Sequence, residues 1–95
     1  MNKYELAIIF SPVLDEEALK AEVERIQGYI TRFEGEIEKV DDWGKRKLAY
    51  EINKQTEGFY MFISFSAPPA APHELEDRIR IRENVLRYLI VRQPE

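Results

Sequence analysis

Apolar residues in this chain switch from a period of two to a period near 3.6 and back, twice over, which limits the folds open to it. From Tyr4 to Phe10 the period is two: Tyr4, Leu6, Ile8 and Phe10 share one face, and Glu5, Ala7 and Ile9 the other. That alternation is the mark of a strand. Ser11-Pro12 breaks it. Leu19, Val23, Ile26, Ile30 and Phe33 then recur at steps of four and three, one stripe of an amphipathic helix. Asp15 is placed to cap its start, with Glu16 and Glu17 favouring the positive end of its dipole. Gly35 is expected to take the left-handed position that closes it.

The second half repeats the theme. Glu36–Val40 and Arg46–Ile52 form a long strand whose alternation is interrupted at Trp43-Gly44, where a glycine suggests a bulge or bend. Residues 53–58 are a polar turn, and Phe59–Phe65 a third strand. The stiff 67–72 connector, Ala-Pro-Pro-Ala-Ala-Pro, leads to a second helix expected from about His73 to Arg82, with Leu75 and Ile79 one turn apart. Asn84 marks its exit, Val85–Arg92 is the last strand, and Gln93-Pro94-Glu95 is expected to fray. Two right-handed strand–helix–strand units joined by a hairpin predict one α+β domain over residues 1–95. Its arrangement is ferredoxin-like, βαββαβ, with a four-stranded antiparallel sheet and both helices on one face.

Composition then excludes several functions. The chain has no cysteine, so it has no disulfide framework, thiolate metal site or cysteine nucleophile, and the single His73 rules out a histidine cluster. No apolar run approaches the ~20 residues that cross a bilayer, and Met1–Glu5 lacks the build of a secretion signal. A cytosolic protein without cofactor, metal or small-molecule substrate is expected. Net charge is −4, distributed unevenly: residues 1–42 carry five basic and eleven acidic side chains, residues 43–95 nine and seven. An anionic partner is expected to meet the second half.

If the helices cover one sheet face, the other receives Ala7, Ile9, Tyr60, Phe62, Ser64, Leu89 and Val91. A face meeting only water should be polar. This one is apolar and aromatic, which makes it a candidate contact surface. Paired aromatics on such a sheet also stack bases in the RNA-recognition motif. Residues 58–65 depart from that motif's signature, with Glu57 in place of a basic residue and bulky Tyr60 in place of a small one. Two basic runs complete the inventory: Gly44-Lys45-Arg46-Lys47 at the bend, and Arg78, Arg80 and Arg82 leading towards Arg87 and Arg92. A guanidinium fork suits phosphate, but Glu74, Glu76, Asp77 and Glu83 are near enough for local ion pairs.

These residues also carry a likeness. Tyr4–Pro12, the stretch Trp43-Gly44-Lys45-Arg46-Lys47-Leu48-Ala49-Tyr50-Glu51-Ile52, then Gly58-Phe59-Tyr60 and Arg80–Tyr88, in that order and spacing, resemble the bacterial ribosomal small-subunit protein six family over essentially the whole chain. The resemblance implies binding to the central domain of small-subunit ribosomal RNA as a heterodimer with ribosomal protein eighteen. Position by position, it makes Lys3, Arg80, Arg82 and Arg87 the leading RNA-contact candidates, joined by Lys45, Arg46, Lys47 and Arg92. Tyr60, Phe62 and Tyr50, with Ile9 and Leu89, become candidates for partner contact. The proline-rich connector departs from the family pattern and leaves the start of the second helix open.

Two rival functions remain. A small acyl-phosphate hydrolase of the same architecture would need a phosphate cradle after the first strand, and Ser11-Pro12-Val13-Leu14 supplies neither glycines nor an arginine. Glu36, Glu38, Asp41 and Asp42 could suggest a metal or acid–base pair, but strand alternation puts adjacent ones such as Asp41 and Asp42 on opposite faces, and a solvated acidic edge is the simpler reading. A homodimeric ligand-sensing or interaction module would use the same open-face aromatics and give the arginines no role.

Overall fold

Every second residue of the first strand is driven inward, and the rest of the molecule is assembled on that strand. In the computed structural model, which describes residues 1–94, the elements run β1 Asn2–Phe10, α1 Glu16–Arg32, β2 Glu36–Ile52, β3 Gln55–Ala67, α2 Ala71–Ile79 and β4 Val85–Arg92. The sheet is antiparallel with strand order β2-β3-β1-β4. This is the expected ferredoxin-like βαββαβ fold. β1 and β3 are its two central strands, in register from Asn2 opposite Ala67 to Phe10 opposite Phe59. The pairs Tyr4–Phe65, Leu6–Ile63 and Ile8–Met61 are buried, and Ile26 and Ile30 of α1 and Ala71, Leu75 and Ile79 of α2 close over them. Burying thirteen apolar residues on one side of a sheet supplies the main driving force for folding.

α1 starts where its sequence directs. Asp15 is extended, and its Oδ1 accepts a hydrogen bond from the Ala18 amide at 2.7 Å. Its end differs from expectation by one residue. Glu34, not Gly35, is left-handed, with φ 67°. The Glu34 amide donates to the Thr31 carbonyl and the Gly35 amide to the Ile30 carbonyl, the double closure of a Schellman motif.

α2 departs from its expected span at both ends, beginning at Ala71 with Pro72 in its first turn and stopping at Ile79 rather than Arg82. Its buried stripe is Ala71, Leu75 and Ile79; the next positions of that stripe, Arg82 and Glu83, are charged, and Ile81 faces away, 71% exposed. Past Arg80 the chain bends, with the Arg82 amide donating to the Ile79 carbonyl at 2.9 Å.

β2 is continuous through the expected interruption, and the bulge falls where glycine suggested it. Register shifts between Asp42 and Gly44, Gly44 has φ 72°, and its amide donates to Asp42 Oδ1 at 2.8 Å. β3 begins at Gln55, three residues before the end of the expected polar turn. The turn itself is only Asn53-Lys54, both with positive φ (49° and 66°), a two-residue hairpin of type I′. Gln93 is held by a 2.8 Å hydrogen bond from its amide to the Lys3 carbonyl, contrary to the expected fraying, and Glu95 lies outside the described residues.

Candidate interface on the open sheet face

Strand register sets which side chains meet on the uncovered side. Ile9 of β1 stands between Tyr60 of β3 and Arg87 of β4, and Ala7 between Phe62 and Leu89. The two rows adjoin, so Ile9, Ala7, Tyr60, Phe62 and Leu89 form one apolar patch, with Val91 beyond Leu89 at the edge. Leu89 is 60% exposed. Gly58 permits this arrangement, because a Cβ there would lie 2.5 Å from Ile9 Cγ2 and 3.1 Å from the Phe10 carbonyl oxygen. These residues share the sheet face to which their alternation in the sequence assigns them.

Trp43, which the alternation pattern marks only as an interruption, belongs to the same surface. The bulge at Gly44 turns its ring onto Phe62, with centroids 4.7 Å apart, while leaving it half exposed. Its only sequence signal was a large aromatic beside a glycine in a polar stretch. Arg46 lies over the Trp43 ring, 5.4 Å from its centroid, and its Nε donates to the Trp43 carbonyl oxygen at 3.1 Å. Arg87 lies 5.7 Å from the centroid of Tyr50. Two guanidinium groups are thus held on aromatic rings, with Tyr60 in the cross-strand row between Gly44 and Ile9. Stacking of this kind orients arginine while leaving its edge donors available.

The remaining cations do not converge on one point. Arg80, at the end of α2, is paired with Asp77 at 2.6 Å and lines a shallow depression with Val85, Leu86 and Arg87, so it belongs to the Arg87 end of the sheet. Lys45 lies 5.3 Å from the ring centroid of Phe59 and shares its strand face, opposite to the open one; Lys47 follows on that face, across from Glu57. Lys3 and Arg92 occupy the far end. Lys3 Nζ is 3.8 Å from Glu38, and Arg92 donates to Asn2 Oδ1 at 3.2 Å. Six residues of strand, about 20 Å, separate Lys3 from Ile9.

Arg82 stands apart from both groups. Its Nη2 and Nε meet the two carboxylate oxygens of Glu22 in α1 at 2.5 and 3.3 Å. That bond from Glu22 raises the guanidinium pKa above its ordinary value, against a smaller opposing effect of burial. The raised value means that deprotonation of Arg82 removes its contribution to stability only above the ordinary arginine range. Sequence reading placed Arg82 with Arg80 and missed Glu22, which is sixty residues away. Among the described residues, no three His, Asp or Glu side chains are grouped to hold a metal ion, and no helix is long and apolar enough to cross a membrane.

Residues 3–92 match the family model described as Ribosomal protein S6. The Small ribosomal subunit protein bS6 of Clostridium novyi is 50% identical over 91 residues, covering 96% of each chain. That of Clostridium kluyveri is 52% identical over 92 residues, covering 97% of each. Among solved structures, the crystal structure of 30S ribosomal protein S6 from Thermotoga maritima is similar with a TM-score of 0.93 at 35% identity, covering 97% of this chain and 87% of that one.

Proposed function

The chain belongs to the ribosomal protein S6 family and is a structural protein of the small subunit of the cytoplasmic ribosome, not an enzyme; from that premise we propose that it binds the central domain of small-subunit ribosomal RNA as a heterodimer with ribosomal protein eighteen. The observation that carries the reading is the open sheet face, an apolar patch bounded at one end by arginines stacked on aromatic rings. Ile9, Tyr60, Phe62 and Leu89, with Tyr50 and Trp43 beside them, supply area that a partner can bury. Arg46, Arg80 and Arg87 supply forks for phosphate at the same end, and Lys3, Lys45, Lys47 and Arg92 add charge around the periphery.

Net charge decides how the two interactions combine. A chain carrying −4 is repelled by RNA at long range, so its few cations bind weakly alone. A basic partner on the apolar patch reverses that balance. The test is a titration of the central-domain RNA fragment, with and without protein eighteen, at two salt concentrations. Binding that needs the partner, weakens with salt and weakens further in Arg87→Ala is expected. Equal affinity with and without the partner overturns the heterodimer. Absence of binding in both arms, with a concentration-independent homodimer by static light scattering, favours a self-associating module instead.

A further inference from the structure

Glu22 is the one acidic residue buried among the described residues, 8% exposed in the middle of α1. Its carboxylate meets both donors of the Arg82 fork, so the pair is bidentate and fixed in geometry. Breaking such a pair strands a buried charge, which makes Arg82 a costly phosphate ligand. The four other ion pairs among the described residues lie on exposed side chains and carry no comparable constraint.

The location of the pair gives it a consequence. Arg82 sits in the turn joining α2 to β4, between Arg80 and Arg87. The turn has little apolar anchorage of its own, since Ile81 is 71% exposed. It is tied instead at two points: Arg82 reaches α1, and the Asn84 carbonyl accepts from the Ser11 amide at 2.8 Å, just past the end of β1. We infer that Arg82 is a positioning residue and not an RNA ligand: its ion pair with Glu22 fixes the α2–β4 turn, and with it the separation of Arg80 and Arg87, two of the cations offered to phosphate. The inference rests on the RNA-binding reading above.

Glu22→Gln separates the alternatives by the sign of its effect, because it removes the anchoring charge and leaves Arg82 intact. A phosphate-contacting Arg82 would be released by this change, and RNA affinity would hold or rise. A positioning Arg82 loses its anchor, and the affinity of the heterodimer for the central-domain fragment falls by about 5- to 10-fold. The salt dependence of binding is a second readout. Glu22→Gln and Arg82→Ala should leave the slope of log affinity against log salt unchanged, while Arg87→Ala lowers its magnitude by about one. A third readout needs no RNA: amide hydrogen exchange at Ile81–Asn84 should accelerate in Glu22→Gln. Unchanged or tighter binding in Glu22→Gln, a smaller slope in Arg82→Ala, or unaltered exchange in the turn each overturns the inference. Failure of the wild-type heterodimer to bind the fragment is a different result. It removes the RNA-binding reading and this inference with it, while exchange still reports whether the pair anchors the turn.

Discussion

A Cβ at position 35 would sit 2.7 Å from Ile30 Cγ2 and 2.8 Å from the Ile30 carbonyl oxygen, with the Ser66 carbonyl oxygen at 3.3 Å. Two of those neighbours are backbone and cannot swing aside. Gly35→Ala is therefore expected to cost about 1–3 kcal/mol, seen as a lower urea midpoint at unchanged slope. Glu34, one residue earlier, bears a side chain in the left-handed region, and Glu34→Gly should stabilise by up to about 1 kcal/mol. The opposite order in the same titration would mean that the helix ends differently from the Schellman closure. A glycine beside the last apolar residue of a stripe was enough to locate the helix end in the sequence. It could not say which of two neighbours is left-handed, because that depends on how β3 approaches Gly35 from elsewhere in the chain. Arg82 is the same lesson at the candidate site. Its own neighbours in sequence include Glu83, but the carboxylate that holds it lies in α1.

At the scale of elements, the β2–β3 hairpin is the clearest case of local chemistry at odds with the form adopted. A type I′ turn needs positive φ at both central residues. Asn53 tolerates this conformation, while Lys54, at 66°, does so at a cost. Lys54→Gly is expected to raise the thermal midpoint by about 2–6 °C, corresponding to a net gain below about 1 kcal/mol after glycine's greater unfolded-state entropy. A lower midpoint would show that Lys54 makes a contact worth more than the backbone strain. The same turn explains a boundary error. Gln55, Thr56 and Glu57 show no apolar alternation, because this stretch of the hairpin with β2 extends beyond the helices, so sequence pattern began the strand too late. α1 was legible almost residue by residue, since its period, its cap and its acidic first turn all agree. α2 was legible in existence but not in extent. The run past Ile79 still contains the apolar Ile81, and only packing shows that Ile81 stays outside the core, 71% exposed.

For the whole molecule, the decisive property is that its sheet has one face committed to folding and one left free. Alternation along three strands is sufficient to read that division, and it alone groups Ile9, Tyr60, Phe62 and Leu89 on one face. Grouping the cations was not possible in the same way, because Arg46 and Arg80 meet the Arg87 end only through a bulge and a turn. The division makes stability and partner binding separable. Leu89 is 60% exposed and outside the core, so Leu89→Asp should change unfolding free energy by no more than about 0.5 kcal/mol. At the centre of a contact with protein eighteen the same carboxylate would be desolvated without a partner, and heterodimer affinity should fall more than about tenfold by calorimetry. Loss of both properties would place Leu89 in the fold rather than the interface. Retention of both would move the partner off the open face, and RNA binding would then have to be explained by the basic end of the sheet alone. If assembly is what keeps a surface apolar over three strands while it contributes little to folding, this substitution separates the two properties directly.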